Sequence, residues 1–240
     1  MIQRYPTKWE RSIQPARKLS GSQYITRTSP VVTATPLTVA FWTLASNPSS
    51  VGYIFHTCDN SDNAIGVIGV SAGGITLGAY SDSGSSKSTK FVPASRWFHG
   101  AAVFSSVSSR LIYLDGVPGS TSSTTTTVTF TRARWGAGAL YGDSPYTGLL
   151  QWPCIWNVAL NLPEIRLLSS RVPPWLIRPQ SIVSCPDLQT LYDPYLHASW
   201  TNTGTTLVTP RPFVRPRNQI YLPRTAGGLL LERRRKMVMG

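Results

Sequence analysis

The sequence predicts an all-β fold of antiparallel strands, and two observations support that prediction. Charged residues make up only 14% of the 240 residues, while Gly, Pro, Ser and Thr are abundant; a charged fraction near one quarter is usual. The stretch from Arg96 to Gly116 also reads as a hairpin. Apolar runs at 98–104 and 110–114 flank the polar turn SSVSS. Asp115-Gly116 then opens a tight turn, because glycine adopts positive φ without a Cβ clash.

Shorter apolar runs before this hairpin are expected to be strands. Residues 36–44 (PLTVAFWTL) are apolar at both alternating sets of positions, which predicts a central strand covered on both faces. Residues 51–57 (VGYIFHT) form the next predicted strand, and we expect His56 within it to be a packed or rim residue. Residues 64–70 and 74–80 predict a second hairpin.

The segment after the hairpin predicts one further buried strand and one helix. Residues 148–156 (GLLQWPCIW) form the strand, in which Pro153 indicates a bulge or an edge position. Residues 160–169 (LNLPEIRLLS) form the helix, because Asn161 can cap its first turn and Glu164 favours its positive N-terminus. We expect this short helix to cover an open end of the sandwich.

The net charge of +13 is concentrated at the two ends of the chain. Residues 1–36 carry six basic and one acidic side chain, and residues 201–240 carry eight basic and one acidic. The middle, 37–200, carries nine basic and eight acidic side chains. Basic ends predict docking onto an acidic partner, which could be a protein surface, nucleic acid or a membrane. Of these, a protein surface is favoured over nucleic acid, and the alternative to docking is a solvated, partly disordered tail.

Cys58, Cys154 and Cys185 are too few and too widely spaced for a disulfide scaffold or a zinc site. We expect three buried free thiols, as in a protein folded in a reducing cytosol; one disulfide plus one free thiol is the alternative. Residues 1–14 lack the apolar stretch of a signal peptide. No run of about 18 apolar residues could cross a bilayer.

Two motifs carry a resemblance to a known family. RWFHGAAVFSSVSSRLIYLDG resembles the central hairpin of laminin-G-like, concanavalin A-like jelly rolls, and GLLQWPCIWNVALNLPEIRLL resembles their closing segment. The residues that match are Trp97, His99, Ala101, Val103, Leu111, Tyr113, Asp115, Gly116, Gly148, Ile155, Trp156, Asn157, Ala159, Leu160, Glu164, Ile165 and Leu168. The resemblance implies a two-sheet antiparallel jelly-roll sandwich with one short helix. The expected parts are a basic irregular N-terminal arm (1–23), the jelly roll (24–172) and a Pro/Arg-rich irregular C-terminal extension (173–240) that packs on the body or on a partner.

The resemblance does not extend to a metal or catalytic site. Relatives that bind calcium place acidic or amide side chains on rim loops, commonly after the glycine of the closing segment. Here Leu149-Leu150 and Gln151-Trp152 follow Gly148 and no carboxylate cluster replaces that set, so neither calcium nor another cofactor is expected. Glycosidases of this architecture need paired carboxylates on a strand. The three glutamates of the chain supply no such pair, which predicts that the protein is not an enzyme.

Single jelly rolls with long irregular tails resemble virion proteins of tailed bacteriophages, including capsid decoration, minor capsid and fibre components. The resemblance implies a virion structural protein, made in the host cytoplasm, that forms a homo-oligomer and binds other capsid proteins through its extended ends. Aromatic and arginine side chains are the expected anchors. The partner-binding residues predicted in the tail are Phe213, Arg215, Arg217, Tyr221, Arg224, Arg233, Arg234 and Arg235.

The alternative function is a lectin-like module that attaches to surface glycans. The fold often serves that role, and sugars stack on exposed aromatic rings. We expect such rings at Trp135, Tyr141 and Tyr146. Nucleic-acid binding through the C-terminal arginines is less favoured because the sequence contains no recognised nucleic-acid module, and no membrane partner is expected.

Overall fold

The computed structural model describes residues 15–45, 52–59, 64–71, 75–81, 84–88, 91, 96–123, 125, 129–138 and 144–208. Within them the chain forms two large antiparallel sheets around a shared core, with one α-helix. The predicted all-β jelly-roll sandwich is therefore confirmed. None of the described helices is long and apolar enough to cross a membrane.

Seventeen strands lie within the described residues, and most are short. They are β1 (Ala16–Leu19), β2 (Tyr24–Arg27), β3 (Leu37–Ala45), β4 (Gly52–Cys58), β5 (Ala64–Ser71), β6 (Ile75–Ser81), β7 (Gly84–Lys87), β8 (Trp97–Ser106), β9 (Ser109–Leu114), β10 (Val117–Ser122), β11 (Arg132–Trp135), β12 (Gly148–Trp156), β13 (Ile182–Ser184), β14 (Tyr192–Asp193), β15 (Ala198–Ser199), β16 (Thr201–Thr203) and β17 (Thr206–Val208). The helix α1 (Leu162–Ser169) follows β12, and two 3₁₀ turns, Pro174–Leu176 and Pro179–Ser181, precede β13.

The strands are divided between an eight-stranded and a seven-stranded sheet. The first has the order β10-β9-β8-β3-β12-β1-β17, with β13 paired to β12 off this path. The second has the order β16-β2-β11-β4-β5-β6-β7, and β14 pairs with β15 alone. The predicted hairpin is β8–β9, and Asp115 and Gly116 after it both have positive φ, 51° and 75°. The Asp115 carboxylate accepts a hydrogen bond from the backbone N–H of His99 at 2.8 Å, which ties the turn to the start of β8.

β3 lies between β8 and β12 and is buried on both faces, as its sequence predicts. Phe41 points into the core between the sheets, where its ring centroid lies 6.1 Å from that of Trp135 on the opposite sheet. Trp42 points to the outer face of the eight-stranded sheet. A second layer of structure must therefore cover that outer face.

α1 forms part of this second layer. Its predicted cap is present as a reciprocal pair: Asn161 Oδ1 accepts from the Glu164 N–H at 3.1 Å, and Glu164 Oε2 accepts from the Asn161 N–H at 2.8 Å. The expectation that the helix covers an open end is wrong. Ile165 packs instead with Trp156 on the outer face of the eight-stranded sheet, because the outward residues of its central strands are apolar and need cover.

Both ends that were expected to be irregular contribute strands. β1 lies inside the predicted arm 1–23, while β13, β16 and β17 lie inside the predicted extension 173–240 and pair with β12, β2 and β1. Arg17 of β1 is 7% exposed, and its guanidinium donates to the carbonyls of Leu188 and Gln189 at 2.8 and 3.1 Å. The interpretation as irregular chain is wrong for β1, β16 and β17, whereas the sequence allows a strand at 181–184, where β13 lies. Such short, polar strands show no alternation of apolar and polar residues, and they form only by pairing with strands of the sandwich.

The cysteines also differ from the expectation of three free thiols. Cys154 and Cys185 form a disulfide, and Cys58 is a buried free thiol, which is the alternative that the sequence left open. The pairing of β12 with β13 places Ile155 opposite Ser184. Cys154 precedes Ile155 and Cys185 follows Ser184, so the antiparallel pairing makes the two cysteines neighbours. The sequence does not reveal this because β13 lies in a stretch without periodicity.

Replacing both Cys154 and Cys185 with serine is expected to lower the free energy of unfolding by about 2–4 kcal/mol. The two residues are 31 positions apart, so the crosslink restricts a sizeable loop of the unfolded chain. Urea unfolding of the wild type and the double variant measures the difference. Wild-type protein with reductant is the matched control and should show the same loss, whereas equal midpoints in all three samples would contradict the prediction.

Candidate functional site

The candidate site is a row of side chains that crosses the outer face of the seven-stranded sheet. The strand register places side by side Thr26, Arg134, His56, Gly66 and Tyr80, on β2, β11, β4, β5 and β6. The adjacent residues Ile25, Trp135 and Phe55 belong to the core. Because side chains alternate along a strand, the row faces away from the core.

Ring contacts add Tyr24 and Tyr53 to the side chains of this row. We call the resulting surface the tyrosine face: Tyr24, Tyr53, His56, Tyr80 and Arg134. The ring centroid of Tyr53 lies 4.4 Å from that of His56 and 5.8 Å from that of Tyr80. The guanidinium carbon of Arg134 lies 4.0 Å from the ring centroid of Tyr24. The three tyrosines are partly exposed, whereas His56 and Arg134 are 3% and 9% exposed. The tyrosine rings therefore form the accessible part of this face.

A β-bulge in β4 brings Tyr53 and His56 onto the same face. Residues three apart in a regular strand point to opposite faces. The pairing of β4 with β5 shifts register between Tyr53 and Phe55, and Ile54 and Phe55 both point into the core. The extra residue returns Tyr53 to the outer face beside His56, as bulges re-aim side chains elsewhere.

Gly66 lies between His56 and Tyr80 in the row and leaves its middle without a side chain. A Cβ at Gly66 would lie 2.7 Å from the carbonyl oxygen of Phe55 and 3.1 Å from Cδ2 of His56. A larger residue would therefore displace the imidazole and the strand beside it. The glycine therefore leaves room for the rings of His56 and Tyr53, since the same Cβ would lie 3.4 Å from Cδ1 of Tyr53.

The electrostatics of the tyrosine face are those of a neutral-to-basic surface. Burial, and then the positive charge of Arg134, lower the pKa of His56 to about 4, so the imidazole is neutral at pH 7 and can both donate and accept a hydrogen bond. Arg134 also donates to the carbonyl of Gly138. None of the seven strands of this sheet, as described, contains Asp or Glu. In the described part of the chain no cluster of three His, Cys, Asp or Glu side chains could hold a metal ion.

Comparison with known families identifies the architecture. The family model described as the Concanavalin A-like lectin/glucanases superfamily matches residues 19–166. The chain belongs to this superfamily. The strands β1, β16 and β17 extend the superfamily sandwich slightly before and well beyond the matched residues. A search of curated proteins finds no significant match to the chain.

Three solved structures show the same fold at low sequence identity. A heptameric SAP-like pentraxin from Limulus polyphemus is 16% identical, with a TM-score of 0.63 over 82% of this chain and 96% of that chain. A protein from Bacteroides ovatus, provisionally described as carbohydrate binding, is 14% identical, with a TM-score of 0.64 over 82% of this chain and 60% of that chain. Domain 4 of the extracellular arabinanase AbnA from Geobacillus stearothermophilus, in complex with arabinotriose, is 18% identical, with a TM-score of 0.56 over 64% and 76%. These likenesses concern the fold alone.

Two of the three aromatic residues predicted to stack on sugars, Trp135 and Tyr146, are buried. Trp135 is 0% exposed, and Tyr146 is 4% exposed with its hydroxyl 2.9 Å from Thr43 Oγ1. The prediction of stacking at these two residues is wrong because both rings fill the core. Tyr141 lies outside the described residues. So do all eight predicted partner-binding residues, from Phe213 to Arg235.

The residues of the tyrosine face are ones that reasoning from the sequence missed. Tyr24 and Tyr80 each stand next to a buried apolar residue, Ile25 and Ala79, so strand alternation could have placed them on an outer face. Tyr53 could not be placed in this way, because regular alternation puts it opposite His56. Their convergence depends on the order β2-β11-β4-β5-β6, which the sequence does not specify.

Proposed function

We propose that the chain is a non-enzymatic glycan-binding module and that the tyrosine face is its saccharide site. The observation that carries the proposal is the alignment of Tyr24, Arg134, His56, Tyr53 and Tyr80 on one face of the sheet. Ring contacts link Arg134 to Tyr24 and Tyr53 to His56 and Tyr80, and the strand register pairs Arg134 with His56. Membership of the superfamily supports it. So do the neighbours described as carbohydrate binding and as solved with arabinotriose.

The chemistry of the face suits a saccharide. Sugar rings present C–H groups that pack against aromatic rings, and hydroxyls that need hydrogen-bond partners. Tyrosine offers both an apolar ring and a polar tip. Four strand spacings separate β2 from β6, a distance of about 19 Å at about 4.8 Å per spacing. A face of that length favours an oligosaccharide over a single sugar.

The absence of carboxylates from the seven described strands supports binding without hydrolysis. Glycoside hydrolysis uses two carboxyl groups on either side of the scissile bond. Glu164 is instead part of the cap of α1 and forms an ion pair with Arg178. Asp193 is fully buried in the C-terminal extension.

The virion assembly role stays a prediction from the sequence. It depends on the basic ends, and its eight named residues lie outside the described residues. The superfamily and the neighbouring structures point to carbohydrate binding instead. The heptameric pentraxin is an oligomer of the same fold, which is compatible with the predicted homo-oligomer and does not demonstrate it.

Alanine in place of Tyr24 or Tyr80 is expected to weaken glycan binding by about tenfold, equivalent to about 1.4 kcal/mol. Each substitution removes one stacking ring from an end of the tyrosine face. Arabinotriose titration and an immobilised glycan array, both with the full chain, measure the effect. Tyr192→Ala is the matched control, because Tyr192 is 44% exposed and lies on β14 outside both large sheets. Equal losses in all three variants, or no glycan bound by the wild type, would overturn the proposal.

A further inference from the structure

A second aromatic surface lies on the outer face of the eight-stranded sheet; we call Trp42, Trp97, Trp152, Arg171 and Trp175 the tryptophan patch. The guanidinium carbon of Arg171 lies 4.0 Å from the ring centroid of Trp42, 5.8 Å from that of Trp97 and 6.0 Å from that of Trp152. The ring centroids of Trp152 and Trp175 are 5.8 Å apart with the planes at 76°. The patch is a connected set of rings with one cation at its centre.

The layer that contains α1 leaves part of this patch open. Trp175 is 44% exposed, and beside it in the chain Leu176 is 50% exposed. Trp152 is partly exposed and packs at the margin of the cluster formed by Ala16, Trp42 and Trp97. Large exposed apolar side chains grouped in this way indicate a surface that binds something.

The backbone at Trp152 supports the same conclusion. Trp152 has a φ of 49°, and the pairing of β12 with β3 shifts register between Gln151 and Cys154. Positive φ is uncommon for a bulky residue and lowers the stability of the folded chain. In this conformation the indole of Trp152 lies beside that of Trp175. The position of the ring is therefore maintained at a cost in stability.

The direction of the chain shows what can reach the patch. β17 is antiparallel to β1, and β1 is antiparallel to β12, so β17 runs in the same direction as β12. Val208, the last residue of β17, pairs with Ala16. The next residue of β1, Arg17, pairs with Leu150 of β12. Val208 is therefore level with the residue just before Trp152. A segment that continued in the direction of β17 beyond Val208 would reach Trp152.

The residues that follow Val208 have the composition that aromatic grooves bind. Residues 209–217 read TPRPFVRPR, and proline-rich segments favour a preformed extended helix that docks on tryptophan-lined surfaces. We propose that residues 209–213 of the same chain dock on the tryptophan patch, with prolines against Trp152 and Trp175. The predicted assembly residues beyond Phe213 would then leave the body from a fixed point. This inference concerns the sheet opposite the tyrosine face and does not depend on glycan binding.

Cysteine crosslinking in the full chain tests the proposal. Pro212→Cys combined with Leu176→Cys is expected to form an intrachain disulfide at least tenfold faster than Pro212→Cys combined with Tyr192→Cys. The second pair is the matched control, because Tyr192 and Leu176 are similarly exposed, 44% and 50%. Adding Trp175→Ala to the first pair should reduce the rate to that of the control. Non-reducing gels and mass spectrometry measure both rates.

Three results would overturn the proposal. Equal rates for the two cysteine pairs would mean that the tail does not reside at the patch. Disulfide-linked dimers in place of intrachain bonds would assign the patch to the tail of a second copy. Weaker glycan binding by Trp175→Ala, with an unchanged rate of crosslinking, would assign the patch to a saccharide. The glycan titrations of the tyrosine-face variants are independent of all three results.

Discussion

Replacing Asp193 with alanine is expected to lower the free energy of unfolding by about 3–5 kcal/mol. The carboxylate is 0% exposed, and its oxygens accept hydrogen bonds from five donors. The donors and their distances are Ser184 Oγ at 2.5 Å, the backbone N–H groups of Tyr195, Cys185 and Leu196 at 3.1, 3.3 and 3.4 Å, and Trp200 Nε1 at 3.2 Å. Each buried donor left without an acceptor costs roughly 1–3 kcal/mol, and local relaxation recovers part of that.

Asp187→Ala is the matched control for this prediction. Asp187 lies on the same segment but is exposed, and it accepts from the Gln189 N–H and the Thr190 hydroxyl at 2.8 and 3.1 Å. Urea midpoints of the two variants against the wild type measure the difference. We expect Asp187→Ala to change stability by less than about 1 kcal/mol. Equal, small effects would show that Asp193 does not organise the extension.

The result would matter because this segment contributes to the sandwich itself. Ser184 ends β13, which pairs with β12, and Trp200 packs in the main core. Loss of the carboxylate should therefore loosen the extension from the sheet. A reduced content of β-structure in the Asp193→Ala variant would confirm that the extension is part of the fold and not a tail.

The central strands and the helix were predictable because local signals and tertiary structure agree there. The residues of β3 are apolar on both faces, and both faces are covered. The helix has a cap at Asn161 and buries Ile165 and Leu168. In each case the apolar residues that indicate the element are also the residues that pack in the folded protein. The sequence is therefore sufficient to predict β3 and α1.

The edge strands and the candidate site were not predictable for the opposite reason. β1 reads ARKL, and a buried arginine such as Arg17 looks like a surface residue until Leu188 and Gln189 supply its acceptors. The tyrosine face depends on a bulge in β4 and on the order of five strands. The sequence alone therefore does not distinguish the buried rings of Trp135 and Tyr146 from the exposed rings of the tyrosine face.

The stability of the protein is expected to fall by several kcal/mol as the pH drops from about 6.5 to 4, because two histidines are buried in neutral form. Burial, and then the charge of Arg171, lower the pKa of His99 to about 3; burial and Arg134 lower that of His56 to about 4. Each unit of difference between the folded and unfolded pKa corresponds to about 1.4 kcal/mol.

The direction of the effect follows from the proton count. Below about pH 6.5 the unfolded imidazoles bind protons, while the folded ones stay neutral down to their lowered pKa values. The stabilisation is therefore complete above pH 6.5 and is lost as the pH falls toward 4 and then 3. His99 contributes most, because its ring is 1% exposed against Trp42, with 5.5 Å between ring centroids. In the described part of the chain, its Nδ1 has no hydrogen-bond partner.

Unfolding free energies measured every half unit from pH 7.5 to 4 test this prediction. His99→Gln should be less stable than the wild type at pH 7 but should show a flatter profile below pH 6.5, because the glutamine does not titrate. The exposed His197, replaced in the same way, should leave the wild-type slope unchanged. A His99→Gln profile parallel to the wild type would assign the acid sensitivity to other groups. A flattened profile would show that protonation of His99, which packs against Trp42, destabilises the fold at acidic pH.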